Sequence, residues 1–169
     1  MDATIEEVLR TSLTFAGVER GTQTDAVVLG HLIPKGTVMM VMQNGPDFRS
    51  PPIDPPEELR GSGAQAAKDK VGRWNPADMH QFRPERWLSK DEEGNDVFNP
   101  KAGPHLTFGY GRRACFGKKL AYLQLRIVVV MLIWNFELQK CPPKLSTYDA
   151  VQKATKLANK CYVRLAPAT

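Results

Sequence analysis

The sequence predicts an α+β fold that is mainly helical, with small β-sheets, and three observations carry this prediction. Apolar residues recur at helical spacing near the N-terminus, a second apolar helical stretch covers residues 116–134, and only short β-rich runs lie elsewhere. The chain has 169 residues, of which 42% are apolar, enough for one modest domain with a packed core. We therefore expect residues 1–169 to belong to a single domain.

The first half of the chain alternates regular elements with a long loop. Apolar and charged residues alternate at helical spacing over residues 4–14, which predicts a helix. Residues 26–42 predict a β-hairpin or two short paired strands, because two apolar runs flank the Pro/Gly turn sequence of residues 33–36. Residues 43–73 are rich in proline and glycine and poor in large apolar side chains. They predict a surface loop with a short helix near residues 56–60.

The second half is dominated by one long helix, predicted over residues 116–134. From Ile127 onward this helix is apolar on all sides, which predicts that it is buried. The terminal region, residues 136–165, contains two candidate strands at residues 136–138 and 162–165.

Charge and cysteine content argue against several functional classes. The net charge is +5, but the basic residues are scattered, so we expect no nucleic-acid partner. The longest apolar run has eight residues, Ile127–Trp134, whereas a bilayer span needs about 20. We therefore expect no membrane segment in this chain. The three cysteines are odd in number and none forms a C-x-x-C pair, which disfavours a disulfide framework or a zinc site.

Cys115 has an unusual sequence environment. Three glycines and two pairs of basic residues lie within six positions of it, and the long helix begins just after it. Positive charge and a helix N-terminus both favour a thiolate, which can bind a metal or attack an electrophile. From the residues alone, three interpretations remain open. Cys115 is a buried inert cysteine, a nucleophile whose base comes from elsewhere in the fold, or an axial thiolate ligand of haem iron.

Three motifs in the same order make the sequence resemble one family. Residues 108–117, FGYGRRACFG, match the whole F-x-x-G-x-R-x-C-x-G haem-binding signature of the cytochrome P-450 family. Glu7-x-x-Arg10 matches the E-x-x-R of the family's helix K, and residues 82–87, FRPERW, match its F-x-P-E-R-W segment. The resemblance implies the C-terminal part of the cytochrome P-450 fold, incomplete, running from helix K through the cysteine loop to helix L.

The resemblance also implies roles for the residues of the cysteine loop. Cys115 is expected to be the axial ligand of the haem iron, where a thiolate pushes electron density onto the metal and favours O–O cleavage. Arg113 is expected to bind a haem propionate through its guanidinium fork, and Phe108 to shield the sulfur from water. The other expected haem contacts are two glycines that let the loop turn close to the porphyrin and one arginine after helix K: Gly111, Gly117 and Arg20.

A structural triad of Glu7, Arg10 and Arg86 is implied by the same resemblance. Glu7 and Arg10 are three residues apart and share one face of a helix, so their side chains can meet. If the triad is buried, breaking it costs about 3–5 kcal/mol. The alternative is an exposed helix pair between Glu7 and Arg10, worth about 0.3–0.5 kcal/mol.

The family implies a haem-thiolate monooxygenase that inserts one oxygen atom of O2 into a small organic substrate. Its cofactor is haem b (iron protoporphyrin IX) and its electron donor an NADPH-dependent reductase, and full-length relatives usually lie on the cytosolic face of the endoplasmic reticulum membrane. The A/G-G-x-D/E-T motif of helix I does not occur, so we expect a truncated, inactive fragment with no catalytic residue beyond the haem ligand. Two alternatives remain: a haem-binding remnant without catalysis, and a non-haem protein with a reactive Cys115.

Overall fold

The computed structural model of the chain describes residues 1–147, 149–153 and 155–168. Within these residues there are three α-helices and five two-stranded antiparallel sheets. The predicted terminal region, 136–165, includes Tyr148 and Ala154, which lie outside the described residues. The chain divides into two compact units, Asp2–Thr107 and a second unit that begins at Phe108, and each is described by itself.

Helix α1 spans Asp2–Thr11, so it begins and ends earlier than the predicted range of 4–14. Its inward face combines apolar and charged side chains, because Ile5 is 2% exposed while Glu7 and Arg10 are 0% and 2% exposed. Buried charges are costly unless they are paired. The partners of these charges therefore decide how the first unit packs.

Two small sheets follow α1, and they differ from the predicted hairpin. Strand β2 (Ala26–Val28) pairs with β3 (His31–Ile33) across the two-residue turn Leu29-Gly30. Both turn residues have positive φ, 51° and 81°, as type I′ hairpin turns require.

A turn lies one residue later than the predicted 33–36, over Pro34–Thr37, and the predicted pairing across it is wrong. The Thr37 N–H donates to the Pro34 carbonyl at 3.2 Å, and Gly36 has a φ of 83°. This turn leads into β4 (Val38–Met42), which pairs with β1 (Gly17–Gly21) instead of with its neighbour in sequence. Strand β1 escaped prediction because a glycine lies at each end and charged residues occupy its centre.

The predicted loop, residues 43–73, contains two short helical segments instead of one. A 3-10 turn spans Glu57–Leu59 and helix α2 spans Ser62–Ala67. Exposed ion pairs hold this segment together: Asp54 contacts Arg60 at 3.2 Å and Arg73 at 3.1 Å, and Glu57 contacts Lys68 at 2.8 Å.

The core of the first unit lies around two tryptophans. Trp74 and Trp87 pack edge to face with ring centroids 4.8 Å apart, and Met79 and Ala3 of α1 complete the cluster. Trp74 also lies against Gly103 so closely that a Cβ at residue 103 would be 2.3 Å from the ring. Trp87 ends the 3-10 helix Pro84–Trp87, and the hairpin that follows consists of β5 (Leu88–Lys90) and β6 (Asp96–Phe98).

The second unit contains the long helix and two hairpin sheets. Helix α3 spans Lys118–Asn135 and follows a 3-10 turn over Gly111–Arg113. The terminal strands are β7 (Phe136–Gln139) paired with β10 (Arg164–Pro167), and β8 (Ala150–Gln152) paired with β9 (Lys156–Ala158).

The predicted burial of α3 from Ile127 onward is wrong for this chain. No residue of α3 is buried, and Ile127 and Trp134 are 49% and 81% exposed. From Ile127 to Trp134 the helix is apolar on every side, so covering this part would need packing partners all round, and the described residues do not supply them. Among the described residues, no helix combines the length and apolar character that a bilayer span would need.

Candidate functional site

The carboxylate of Glu7 accepts five hydrogen bonds in the interior of the first unit. Its Oε1 accepts from Arg10 Nη2 at 2.7 Å, from the backbone N–H of Arg83 at 2.8 Å and from Arg86 Nε at 3.1 Å. Its Oε2 accepts from Arg10 Nε at 2.8 Å and from the indole N–H of Trp87 at 3.0 Å. Five donors around a fully buried carboxylate satisfy its lone pairs and offset the cost of burial.

Arg10 uses all five of its N–H donors. Nε and Nη2 bind the two oxygens of Glu7, and Nη2 also donates to the carbonyl oxygen of Gln81 at 3.0 Å. Nη1 donates to the carbonyls of Met79 at 2.8 Å and Phe48 at 3.5 Å. The arrangement leaves no guanidinium N–H of this buried side chain without a partner.

Arg86 connects Glu7 to a second acid. Its Nε donates to Glu7, its Nη1 to Asp78 Oδ1 at 2.9 Å, and its Nη2 to the carbonyls of Asp78 at 2.9 Å and Gln81 at 3.1 Å. Asp78 is 9% exposed, so this is a second buried carboxylate. We call Glu7, Arg10, Asp78 and Arg86 the ionic cluster.

Both acids of the ionic cluster favour their charged forms. Burial raises the pKa of Glu7, but the hydrogen bonds from Arg10, the Arg83 backbone and Trp87, with the charge of Arg10, lower the pKa below its ordinary value. The hydrogen bond from Arg86 lowers the pKa of Asp78. The Trp74 ring lies 5.8 Å and 5.7 Å from the guanidinium carbons of Arg10 and Arg86, at cation–π distance from both.

The structure brings both arginines of the predicted triad, Arg10 and Arg86, into direct contact with Glu7. Glu7 and Arg10 are buried, so the alternative of an exposed helix pair does not describe them. Sequence reasoning missed Asp78 and Trp87. Trp87 belongs to the recognised FRPERW segment, but Asp78 lies outside every motif, and only its closeness to Arg86 in sequence could have suggested it.

The cysteine loop of the second unit folds back on itself ahead of α3. The N–H of Cys115 donates to the carbonyl of Phe108 at 2.7 Å, and the N–H of Ala114 to that of Gly111 at 3.1 Å. Gly109 and Gly111 have φ of 69° and 68°, a region that favours glycine. These two glycines therefore set the shape of the loop.

Gly117 differs from the expectation that glycine freedom is needed there. Its φ is −77°, a conformation open to any residue, and it is the N-cap of α3. A Cβ at residue 117 would lie 3.8 Å from Cys115 Sγ, an ordinary contact. The turn itself therefore does not require glycine at this position.

The Cys115 thiol is free and exposed, so its interpretation as a buried inert cysteine is wrong. Arg113 is exposed, and its guanidinium makes no hydrogen bond or ion pair with any residue that the structure describes. A Cβ on Gly111 would meet no atom within 4 Å, so space lies open beside the loop. A thiol donor, an uncommitted guanidinium and an open backbone surface fit a large planar ligand with iron and carboxylates.

The other predicted haem contacts are less directly placed. Phe108 is half-buried, with its ring centroid 5.4 Å from that of Tyr122. Arg20 lies on β1, where its Nη1 donates to the carbonyl of Glu19 at 2.7 Å, and its role toward haem stays a prediction. Within the described residues, no group of three His, Cys, Asp or Glu side chains could hold a metal ion.

The comparison with known families decides what kind of protein this is. The family model for cytochrome P-450 matches residues 75–159. This chain belongs to the cytochrome P-450 family. The predicted family is thereby confirmed.

Relatives of this cytochrome P-450 cover the whole chain but are longer. A cytochrome P-450 monooxygenase of Pestalotiopsis microspora is 44% identical over 98% of this chain and 29% of its own length. A cytochrome P-450 monooxygenase of Dothistroma septosporum is 37% identical over 100% of this chain and 57% of its own length. One from Fusarium sporotrichioides is 37% identical over 98% of this chain and 30% of its own length.

Solved structures agree at the level of the fold. A cytochrome P-450 crystal structure aligns with a TM-score of 0.68 and 20% identity, covering 99% of this chain and 31% of that one. A cytochrome P-450 heme domain aligns with a TM-score of 0.65 and 20% identity, covering 99% of this chain and 30% of its own. The chain therefore spans about a third of these structures, and the activity of a whole cytochrome P-450 is a proposal for it.

Proposed function

We propose that Cys115 is the axial thiolate of a haem b group and that the protein acts as a haem-thiolate monooxygenase. The reaction class inserts one oxygen atom of O2 into a small organic substrate and reduces the other to water. The observation that carries the proposal is the exposed, free thiol at the end of the F-x-x-G-x-R-x-C-x-G loop.

The loop residues have separate proposed tasks in holding the cofactor. Cys115 supplies the iron ligand, and Arg113, whose guanidinium has no partner among the described residues, supplies a fork for a propionate. Gly111 leaves the approach to the loop backbone open. When bound, the haem iron supplies the oxygen chemistry, and the protein supplies ligation and electrostatics.

The ionic cluster is proposed to hold the chain segment that leads into the loop. In the first unit, Trp74 packs against the guanidinium groups of Arg10 and Arg86. Its indole N–H donates to the carbonyl of Pro104 at 3.0 Å. The Thr107 hydroxyl donates to the carbonyl of Leu9 on α1 at 3.3 Å. These contacts hold Pro104 and Thr107, near the C-terminal end of the first unit.

The proposed electron donor is an NADPH-dependent reductase, as the family implies. Arg112, Lys118 and Lys119 are exposed within four residues of Cys115, which suits a partner with an acidic surface. For full-length relatives we propose the cytosolic face of the endoplasmic reticulum membrane.

The test is haem titration of the chain followed by the absorption spectrum of the reduced CO complex. We expect the red-shifted Soret band that a thiolate ligand produces. Cys115→Ala should abolish it, whereas Cys141→Ala and Cys161→Ala, which remove the other two free cysteines, should leave it unchanged. An unchanged spectrum in Cys115→Ala would exclude Cys115 as the ligand.

Arg113 can be tested against its neighbour. Arg113→Gln should weaken haem binding about tenfold if it holds a propionate, because a charge-assisted bidentate bond is lost. Arg112→Gln removes the same charge one residue away. It should weaken haem binding less than threefold, because an exposed charge without a direct contact to haem contributes little. Equal losses would mean that only the local positive charge matters.

Catalysis by this chain alone is a separate question. We expect no substrate turnover, because α3 leaves apolar residues exposed and this chain spans only 29% of the length of the Pestalotiopsis microspora relative. Hydroxylation of any substrate by the purified chain with haem and reductase would contradict this. A non-haem thiol function would instead show fast alkylation of Cys115 that haem does not slow.

A further inference from the structure

The charges of the ionic cluster balance only when Asp78 is counted. Glu7 faces the guanidinium groups of both Arg10 and Arg86, and both arginines reach the same oxygen, Oε1. One carboxylate cannot neutralise two cations whose side chains are only 2% and 7% exposed. Asp78 is the second buried acid, and it contacts Nη1 of Arg86, whereas Glu7 contacts Nε.

Asp78 binds Arg86 through two groups, its side-chain carboxylate and its backbone carbonyl. Its Oδ1 accepts from Nη1 at 2.9 Å, and its own backbone carbonyl accepts from Nη2 at 2.9 Å. With both terminal nitrogens held, the planar guanidinium has one orientation left, in which Nε points to Glu7.

The backbone around Asp78 is itself fixed. The Asp78 N–H donates to the carbonyl of Asn75 at 3.2 Å, and the Gln81 N–H donates to the carbonyl of Asp78 at 2.9 Å. The second carboxylate oxygen, Oδ2, binds Arg83, whose side chain is half exposed. Asp78 therefore lies between an exposed arginine and a buried one, and only the buried one belongs to the cluster.

We propose that Asp78 is a positioning residue whose negative charge holds Arg86 against Glu7. A side chain of the right shape but without charge would not do this, because Arg86 would then share the single charge of Glu7 with Arg10. The functional consequence, a larger fraction of protein with thiolate-ligated haem, rests on the proposed haem function. The electrostatic claim does not rest on it.

The charge claim is tested by urea unfolding of the full chain, followed by the fluorescence of the buried Trp74 and Trp87. At pH 7, Asp78→Asn should raise the unfolding equilibrium constant about tenfold or more, because a charge-assisted bond to a buried cation is lost. As the pH falls through the lowered folded-state pKa of Asp78, the difference between wild type and Asp78→Asn should shrink and vanish. A gap of the same size at pH 7 and below that pKa would mean that shape matters and would overturn the proposal.

Few charged groups surround Asp78, so the comparison of wild type with Asp78→Asn at two pH values reports mainly on the charge of Asp78. Arg86 and Arg83 face it directly, and Glu7 and Arg10 of α1 reach it through Arg86 and the shared Gln81 carbonyl. The pKa of Asp78 is lowered by Arg86, so the Asp78 contribution to stability is present at neutral pH and lost on acidification.

Matched variants separate burial from charge removal as such. Asp96→Asn makes the same chemical change at an exposed pair, where Lys90 Nζ lies 2.9 Å from Asp96, and should change the unfolding constant less than threefold. Arg83→Gln removes the exposed partner of Asp78 but keeps the backbone N–H that binds Glu7, and should also have a small effect. A loss at Asp96 equal to that at Asp78 would overturn the proposal.

If Asp78→Asn does not fold, Asp78→Glu keeps the test decisive. The added methylene disturbs the fit but retains the charge, so Asp78→Glu should fold and recover most of the stability at pH 7. Failure of both variants alike would overturn the charge claim.

In haem-loaded protein, Asp78→Asn should lower the fraction with the red-shifted CO band, and Asp78→Glu should restore it. An unchanged fraction in Asp78→Asn would overturn the functional consequence. If wild type takes up no haem, the proposed function fails while the unfolding result stands.

Discussion

The indole N–H of Trp87 donates a hydrogen bond of 3.0 Å to Oε2 of Glu7, a residue 80 positions earlier in the chain. The bond joins α1 to the 3-10 helix Pro84–Trp87 in the first unit, and both side chains are fully buried. A buried donor and a buried acid are thus satisfied by one contact. Several consequences of this arrangement can be measured.

Trp87→Phe should lower the free energy of unfolding by about 1–3 kcal/mol, because the ring is mostly kept while a hydrogen bond to a buried charge is lost. Urea unfolding measures this change. Trp134→Phe is the control, since Trp134 is 81% exposed and should change stability by less than about 0.5 kcal/mol. Equal effects at both tryptophans would show that the Trp87–Glu7 bond contributes nothing.

Glu7→Gln should cost about 3–5 kcal/mol, because it leaves Arg10 and Arg86 buried with only the charge of Asp78 between them. Circular dichroism and urea unfolding at pH 7 would report the loss. Glu19→Gln, at an exposed position of β1, should be close to neutral. If Glu7→Gln were as stable as wild type, the ionic cluster would not hold the first unit together.

The stability of the wild-type chain should fall with acidification in a defined window. The pKa values of Glu7 and Asp78 are lowered in the folded state, so the unfolded state binds more protons as the pH drops. Their contribution is complete above about pH 5 and is lost as the pH falls through the lowered folded-state values. Thermal unfolding at a series of pH values measures how stability depends on pH. A higher stability at pH 3 than at pH 5 would contradict the prediction.

Gly111→Ala should disturb the cysteine loop, whereas Gly117→Ala should not. The φ of 68° at Gly111 costs an alanine about 1–2 kcal/mol, while the φ of −77° at Gly117 suits any residue. Hydrogen exchange at the Cys115 amide, which is bonded to Phe108, should accelerate only in Gly111→Ala. Equal protection in both variants would mean that the loop tolerates a different backbone at residue 111.

Gly103→Ala should destabilise the first unit, because the new Cβ would lie 2.3 Å from the Trp74 ring. Overpacking of this kind costs about 1–3 kcal/mol. Gly61→Ala is the control, since a Cβ at residue 61 would meet no atom within 4 Å and the φ of −62° there is ordinary. Fluorescence of Trp74 should change in the first variant alone, and an unaltered Gly103→Ala protein would contradict the close packing of Trp74 on residue 103.

Motif spacing predicted the triad because the ion pairs of the triad are formed by side chains, and side chains are what a sequence motif specifies. The E-x-x-R and FRPERW motifs led to Glu7, Arg10 and Arg86, and the structure brings these three side chains together. Asp78 was missed, because no periodicity or spacing marks an acid that meets an arginine eight residues later.

Backbone groups and missing packing partners were beyond the reach of sequence patterns. The carbonyls of Met79 and Gln81 bind Arg10, but every residue type has a carbonyl, so no sequence signal exists. The prediction that α3 is buried failed for a related reason. An apolar pattern shows which helix surface is hydrophobic, but it does not show whether the same chain contains residues that pack against that surface.

The carbonyl oxygen of Gln81 serves both arginines, while the side chain of Gln81 points to solvent and takes no part. Position 81 can therefore accept other side chains while Arg10 and Arg86 keep the same hydrogen-bond acceptor. Proline is the exception, since it would remove the N–H that ties residue 81 to Asp78. An exposed residue whose side chain can be exchanged thus stabilises two charged side chains of the interior, and it does so through its backbone carbonyl alone.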